Sequence, residues 1–146
     1  MNTTTLLRSH VERALQRHWE CHDLVVDSDG DYPFRAGPAM VWVGIDECPP
    51  AVRVFAHAAT GIKRSAKLLA EINELNANAR WAKVFWSDGI VLVSRVLDLD
   101  GADAASIGRA CDAVAVVAQD VGPMMAAVYG GATPFPPEVE HAADGR

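Results

Sequence analysis

The sequence lacks an apolar run long enough to cross a membrane. The best candidate, AVAVVA at 113–118, is far shorter than the roughly 18 apolar residues that a spanning helix needs. The first residues, MNTTTLLRSHVERAL, carry a charge every few positions and contain no apolar core of signal-peptide length. We therefore expect a cytosolic protein with no membrane partner.

Cysteine is scarce, and basic residues are outnumbered. Cys21, Cys48 and Cys111 are odd in number and widely spaced, which argues against a disulfide framework and fits the reducing cytosol. The net charge is −6, whereas nucleic-acid-binding domains usually show a basic patch or stripe. We expect no nucleic-acid partner.

Motifs for the common catalytic chemistries are missing. The sequence has neither the GxSxG elbow of serine hydrolases nor the GxGxxG and GxxxxGK[ST] loops that hold nucleotides. Cys111 falls on the apolar side of a predicted helix, where a thiol is usually inert, and the spacing around His57 indicates no partner for a general base. The sequence predicts a non-enzymatic protein without a cofactor, although pocket residues can be scattered along a chain.

Two short motifs resemble metal sites. His18, Cys21 and His22 in HWECH lie at positions i, i+3 and i+4, so one side of a helix end could present them to zinc, but no second short-spaced pair completes the site. The run DSDGD at 27–31 resembles a calcium loop, but its glycine is misplaced and position twelve would be Pro38. We interpret HWECH as a helix end and DSDGD as a turn, with no metal bound.

The first half of the chain alternates between helical and strand patterns. Residues 3–20 place apolar side chains four apart, which predicts an amphipathic helix. The run LVV at 24–26 is a short strand candidate that would form a hairpin with residues 32–35. Residues 40–47 and 52–58 alternate as strands do, separated by the run CPP.

The second half begins with a helix from Ser65 to about Asn78, in which asparagines recur near the end. Two strands at 82–87 and 90–97 flank Asp88 and Gly89, a strong hairpin signal. A long helix follows at 103–128, and Gly122 and Pro123 are expected to kink or restart it. Residues 132–146 are predicted to be a mobile tail, which leaves a single domain at 1–131.

These elements predict an α+β domain in the order α-β-β-β-α-β-β-α, with three helices packed on an antiparallel sheet of about five strands. Helices can cover one face of this sheet. Trp42, Phe55 and Phe85 indicate that the other face is apolar as well, and contiguous exposed apolar area usually marks an interface.

The run LLAEINELNANARWAKVFWSDGIVLVSRVLDL, together with DGDYPF, VRVFAHAATGI and DVGPMMAAVYGG, resembles the YbjN-type proteins of the type III secretion chaperone-like superfamily. The resemblance covers roughly residues 20–131. It implies a homodimer that binds peptide segments of other proteins without catalysis. By the same resemblance, a client segment would contact Val11 and Leu15 on the first helix and Trp42 and Phe55 on the sheet.

The expected function is therefore a chaperone-like, homodimeric peptide- or protein-binding module in the cytosol. The alternative is a small-molecule-binding protein or small enzyme that uses a cleft beside the 65–78 helix, with His57 and Arg53 as its polar groups.

Overall fold

The computed structural model describes residues 2–18, 24–78 and 81–136. The predicted order of elements is confirmed. The helices and strands are α1 (Thr3–His18), β1 (Tyr32–Ala36), β2 (Ala39–Glu47), β3 (Pro50–Ala59), α2 (Ala66–Asn78), β4 (Lys83–Ser87), β5 (Ile90–Asp98) and α3 (Ala104–Tyr129). A short 3-10 turn, Leu99–Gly101, joins β5 to α3.

The five strands form one antiparallel sheet in the order β1-β2-β3-β5-β4, so β1 and β4 are its edges. The predicted hairpin between β4 and β5 is confirmed. Asp88 and Gly89 form its turn with φ of 47° and 85°, the positive values that a two-residue hairpin turn favours and that glycine adopts without strain.

One face of the sheet is covered by helices. Alternate side chains of the central strands point to this side and are fully buried, among them Val41, Val54 and Val93. Helix α3 crosses this face and approaches β3 closely at Gly122, where a Cβ atom would lie 2.3 Å from the carbonyl oxygen of Ala58. The close approach explains why a glycine occupies the middle of this helix.

Helix α1 lies beside α3 and is joined to the sheet edge by a polar contact. Arg8 on α1 donates a hydrogen bond to the hydroxyl of Tyr32 (2.8 Å), and that hydroxyl donates to the carboxylate of Glu12 (2.6 Å). This chain of hydrogen bonds joins α1 to the first residue of β1.

Two predicted details of secondary structure are wrong. Residues 24–26 form no strand, because β1 takes β2 as its only neighbour and a run of three β-branched or apolar residues does not by itself supply a partner. Helix α3 also continues through Pro123, so the predicted restart does not occur there, while a kink stays a prediction. Its packing on the sheet compensates for the hydrogen bond that proline cannot donate.

The chain after α3 returns to the sheet. Gly130 ends the helix with a φ of 73°, and Ala132 pairs with Thr60 beyond the end of β3. The backbone N–H of Phe135 then donates to the carbonyl of Pro38 in the β1–β2 turn (3.0 Å). Residues 132–136 of the predicted tail thus contact the domain, and 137–146 lie outside the described residues.

The sequence was expected to lack a membrane-length segment because the apolar run at 113–118 is short, but helix α3 as a whole is long and apolar enough, by length and composition alone, to cross a membrane. In this structure it is the central core helix, and its buried side chains include Ile107, Val114, Ala118 and Met125. Burial against the sheet accounts for the apolar residues on one side of this helix, whereas Val116 and Val128 on α3 are exposed.

Candidate functional site

The sheet face that carries no helix is the main candidate surface, and we call it the outer face. Among the described residues no helix or strand covers it, and its large side chains are half-buried or exposed, whereas the small side chains of Ala51 and Ser94 are buried between them. Its apolar and aromatic members are Met40, Trp42, Phe55, His57, Phe85, Leu92 and Val96. An apolar sheet face left open to solvent is typical of a binding surface.

Trp42 and Phe55 form the centre of the outer face. They are direct cross-strand partners on β2 and β3, and their rings stack with centroids 5.3 Å apart and planes 14° from parallel. The ring of His57 meets Trp42 edge-on at 4.6 Å. These contacts hold the rings in place and leave a flat aromatic surface, which suits an apolar side chain of a partner.

The pKa of His57 is lowered from its ordinary value of 6.5 because burial among its neighbours penalises the charged imidazolium. His57 is therefore expected to be neutral at pH 7. A neutral ring adds to the apolar character of the surface around Trp42.

Cations lie over several aromatic rings at the outer face. The guanidinium of Arg53 lies 4.7 Å from the ring centroid of Phe55, and the ammonium of Lys83 lies 5.6 Å from that of Phe85. Arg53 also pairs with Asp46 at 3.4 Å. These cations give an apolar surface a positive fringe, even though the chain as a whole carries a net charge of −6.

A second candidate surface is a groove along β1, which we call the edge groove. It has a volume of about 760 Å³ and lies between β1 and the sides of α1 and α3. Residues of β1 form one wall, and Leu15, Ala115, Val116 and Gln119 belong to the other. Val116 is 64% exposed, so an apolar side chain of a partner can contact it.

The strand that forms this wall has an open edge. Alternation of hydrogen bonds in an antiparallel ladder directs the backbone groups of Pro33 and Arg35 away from β2. Proline has no N–H to donate, which suits an edge strand. In the part of the chain that the structure describes, no backbone group pairs with the N–H or C=O of Arg35. A peptide strand can add at such an edge.

The four residues predicted to contact a partner fall in two places. Trp42 and Phe55 come together at the centre of the outer face. Val11 and Leu15 are instead packed in the core, with exposed fractions of 0% and 4%. Their side chains face α3 and the sheet, so Val11 offers no surface to a partner in this structure and Leu15 only borders the edge groove.

The alternative site beside α2 does not assemble as expected. A cleft of about 400 Å³ lies between α2 and α3, and its polar residues include Glu71, Glu74 and Asp120. Arg53 and His57 belong to the outer face, on the other side of the sheet from α2. They cannot serve this cleft.

Of the two metal-like motifs, the structure describes the acidic run, in which the carboxylates of Asp27, Asp29 and Asp31 lie within 4.8 Å of one another, and the first residue of HWECH. The imidazole of His18 pairs with the carboxylate of Asp112 on α3 (2.7 Å), and the positions of Cys21 and His22 lie outside the described residues. The carboxylate of Asp27 accepts hydrogen bonds from the backbone N–H groups of Asp29 and Asp31. The predicted turn at DSDGD is thereby confirmed.

Sequence reasoning missed the edge groove and the contact of Phe135 with the sheet. Phe135 lies against the Arg35 guanidinium, 4.5 Å from atom to ring centroid. Pro33 within the pattern of β1 was the available signal for an open edge, since proline is confined to such strands. No local pattern links residue 135 to residue 35.

The fold matches chains in several solved protein complexes at low sequence identity. The HopA1–SchA chaperone–effector complex contains a chain that aligns with a TM-score of 0.64 at 12% identity, covering 82% of this chain and 96% of that one. A chain of the ExsC–ExsE complex aligns with a TM-score of 0.66 at 11% identity, covering 86% and 97%. At such identities the likeness shows the fold alone.

A third similar structure is the Yersinia pestis type III secretion chaperone SycH in complex with a stable fragment of YscM2. It aligns with a TM-score of 0.55 at 11% identity, covering 80% of this chain and 97% of that chain. A comparison with curated proteins finds no match.

The family model described as "T3SS (YopN, CesT) and YbjN peptide-binding chaperone 1" matches residues 5–137. This range includes all of β1 to α3 and most of α1. The resemblance noted in the sequence is thereby confirmed, and the chain belongs to this family of peptide-binding chaperones.

Proposed function

We propose that this protein is a homodimeric, cytosolic chaperone-like module that holds an extended segment of a client protein and performs no catalysis. The observation that carries the proposal is the outer face, whose stacked Trp42 and Phe55 rings are only half-buried, whereas the core on the other face of the sheet is fully buried. Family membership supports the same reading.

The edge groove supports a role for the client main chain. A client strand lying beside β1 would pair with the backbone groups of Arg35 and place alternate side chains in the groove against Val116. Main-chain pairing supplies affinity with little dependence on sequence, and the groove supplies selectivity. Leu15 contributes by lining this groove rather than by direct exposure on α1.

Binding of client segments can be tested by substituting the centre of the outer face. Trp42→Ser and Phe55→Ser should each weaken capture of client proteins from a native cytosol by tenfold or more. This factor corresponds to a loss of about 1.4 kcal/mol or more in the free energy of binding. Leu69→Ser on α2 is a matched control, because Leu69 is 37% exposed and far from this face. Equal capture by all three variants would reject the outer face as the client site.

The homodimer has a separate test. Light scattering of the purified chain at micromolar concentration should give about twice the monomer mass of 15.7 kDa. A monomer under these conditions would contradict the dimer and leave the client site to be judged by the substitutions alone.

A further inference from the structure

Two neighbouring rows of side chains cross the outer face from one sheet edge to the other. The strand registers place five cross-strand neighbours in the first row, namely Pro33, Trp42, Phe55, Ser94 and Lys83. The second row consists of Arg35, Met40, His57, Leu92 and Phe85. Each row is apolar or aromatic at its centre and contains one cation.

The two cations stand at opposite margins of this surface. Arg35 belongs to edge strand β1 and Lys83 to edge strand β4, and both are exposed. The ion pairs found among the described residues involve His18 and Arg53, so neither marginal cation has a carboxylate partner there. Neither row contains an acidic residue.

Acidic side chains on the outer face gather elsewhere. Asp46 and Asp98 flank Ala51 at the far end of the sheet, and Asp46 is engaged by Arg53. The two rows therefore form an apolar strip with a cation at each margin, in a chain whose net charge is −6. Arg35 donates to the carbonyl of Gly37 and lies against the ring of Phe135, and Lys83 lies over the ring of Phe85, so both cations keep donors for a carboxylate.

The width of the strip sets the spacing of a complementary ligand. The strip crosses five strands, and four inter-strand steps of about 4.8 Å span about 19 Å. Because Arg35 and Lys83 lie in neighbouring rows, the two positions are about 20 Å apart. An extended chain advances about 3.3 Å per residue, so this distance corresponds to about six residues.

We propose that the outer face selects an extended segment of another protein that carries a carboxylate at each end of an apolar stretch, with the two acidic residues about six positions apart. The inference rests on the proposed function and adds the chemistry of the partner. Its support is charge complementarity, since one carboxylate would pair with Arg35 and the other with Lys83 while the apolar side chains pack on Trp42 and Phe55.

A second copy of this chain is a poorer occupant of the same surface. In a two-fold face-to-face pair, each protomer would present the same two cations and the rows would offer no carboxylate to either. Like charges facing each other oppose association. The net charge of this chain is negative, so it repels a highly acidic segment of another protein. A segment with only two flanking carboxylates is therefore a better ligand than one with a long acidic run.

The proposal is tested with synthetic peptides and the full chain. A dye-labelled 12-residue peptide with Glu at positions 3 and 9 and Leu, Phe and Val between them is titrated by fluorescence anisotropy at low salt. Changing both Glu to Gln, or moving both to one end, should weaken binding by about 5- to 20-fold, as expected for two exposed ion pairs. Raising the salt concentration should remove this difference.

Substitution of the two cations provides the second arm. Arg35→Gln with Lys83→Gln should abolish the preference for the Glu peptide and leave affinity for the Gln peptide unchanged. Lys63→Gln with Arg109→Gln changes the net charge equally at exposed positions away from the outer face, and should keep the preference. Circular dichroism of each variant establishes that it is folded.

The outcomes separate this inference from the proposed function. Equal affinity for Glu and Gln peptides would overturn the inference while client capture through Trp42 stands. If Phe55→Ser dissociates a dimer and no peptide binds the dimer, the face belongs to a second copy. The double variant Glu138→Gln with Glu140→Gln removes two carboxylates near the end of the chain. If it strengthens binding of the Glu peptide by a larger factor than the cation substitutions weaken that binding, the two cations serve the chain's own terminus and the inference falls.

Discussion

The side-chain amide of Asn76 pairs with the backbone of Val84 through two hydrogen bonds. Its Nδ2 donates to the carbonyl oxygen of Val84 (2.7 Å), and the N–H of Val84 donates to its Oδ1 (2.8 Å). Helix α2 thus offers edge strand β4 the same donor and acceptor that another strand would offer. The amide occupies the edge of β4 at its second residue.

Replacing Asn76 should destabilise the protein and expose this edge. Asn76→Ala leaves the N–H and C=O of Val84 without their partner, and we expect the free energy of unfolding to fall by about 1–3 kcal/mol. Asn73→Ala on the same helix is a control, because Asn73 is exposed and should change stability by less than about 0.5 kcal/mol. Urea denaturation measures both, and equal effects would contradict the role of the Asn76 amide.

The approach of α3 to β3 predicts that Gly122→Ala is harmful. Alanine normally favours a helix over glycine by about 1 kcal/mol, but its Cβ would lie 2.3 Å from the backbone oxygen of Ala58. We expect a net loss of about 1–3 kcal/mol as the helix shifts to relieve the clash.

Gly101→Ala is the matched control for that substitution. Its Cβ would contact only the Asp98 carboxylate, at 3.4 Å, and we expect the midpoint of thermal unfolding to stay nearly constant. A Gly122→Ala variant as stable as the parent would show that α3 can move away from β3 without cost.

Burial of His57 predicts a loss of stability in mild acid. Its pKa in the folded chain lies below 6.5, so its contribution is fully present above about pH 6.5, where the ring is neutral in both states. As the pH falls, His57 is protonated in the unfolded chain before it is protonated in the folded chain. The free energy of unfolding therefore declines until the pH passes the pKa of His57 in the folded chain.

The measurement for His57 is the slope of unfolding free energy against pH between about 7 and 5. His57→Gln should flatten this slope, whatever its effect at pH 7. His10→Gln is the comparison, because the ring of His10 contacts the carbonyl of Ala102 and not the outer face. An unchanged slope in His57→Gln would contradict the effect of burial.

The cysteines should differ in reactivity. Burial raises the pKa of the Cys111 thiol far above its ordinary value of 9.0, and only 1% of the residue is exposed. Cys48 is exposed. Iodoacetamide at pH 8 should therefore modify Cys48 and spare Cys111 in the native protein, and modify both in urea. Peptide mapping by mass spectrometry resolves the two, and rapid native labelling of Cys111 would contradict the packing of α3.

Local signals in the sequence predicted the parts of the fold that local chemistry decides. The hydroxyl of Ser65 accepts from the N–H of Leu68 at the start of α2 (3.1 Å), as expected for a helix cap. Asp88 and Gly89 form the expected turn. Both features depend on residues within a few positions of each other.

Features that depend on distant partners were not visible in the sequence. The pattern of α1 identified Val11 and Leu15 as apolar, but an apolar stripe is the same whether a core or a client covers it. The sequence showed only that asparagines recur near the end of α2, whereas the pairing of Asn76 with Val84 depends on where β4 lies. Parity along β2 and β3 did place Trp42 and Phe55 on one face, because side chains alternate strictly in a strand.

The unequal edges of the sheet limit how this protein can aggregate. A filament built by strand addition needs two free edges on every subunit, one to accept and one to donate. Here β1 is open at Arg35, whereas the Asn76 amide occupies β4 at Val84. A strand that adds to β1 therefore does not find the same open position at Val84 on the far side. This inequality of the two edges works against repeated addition of subunits.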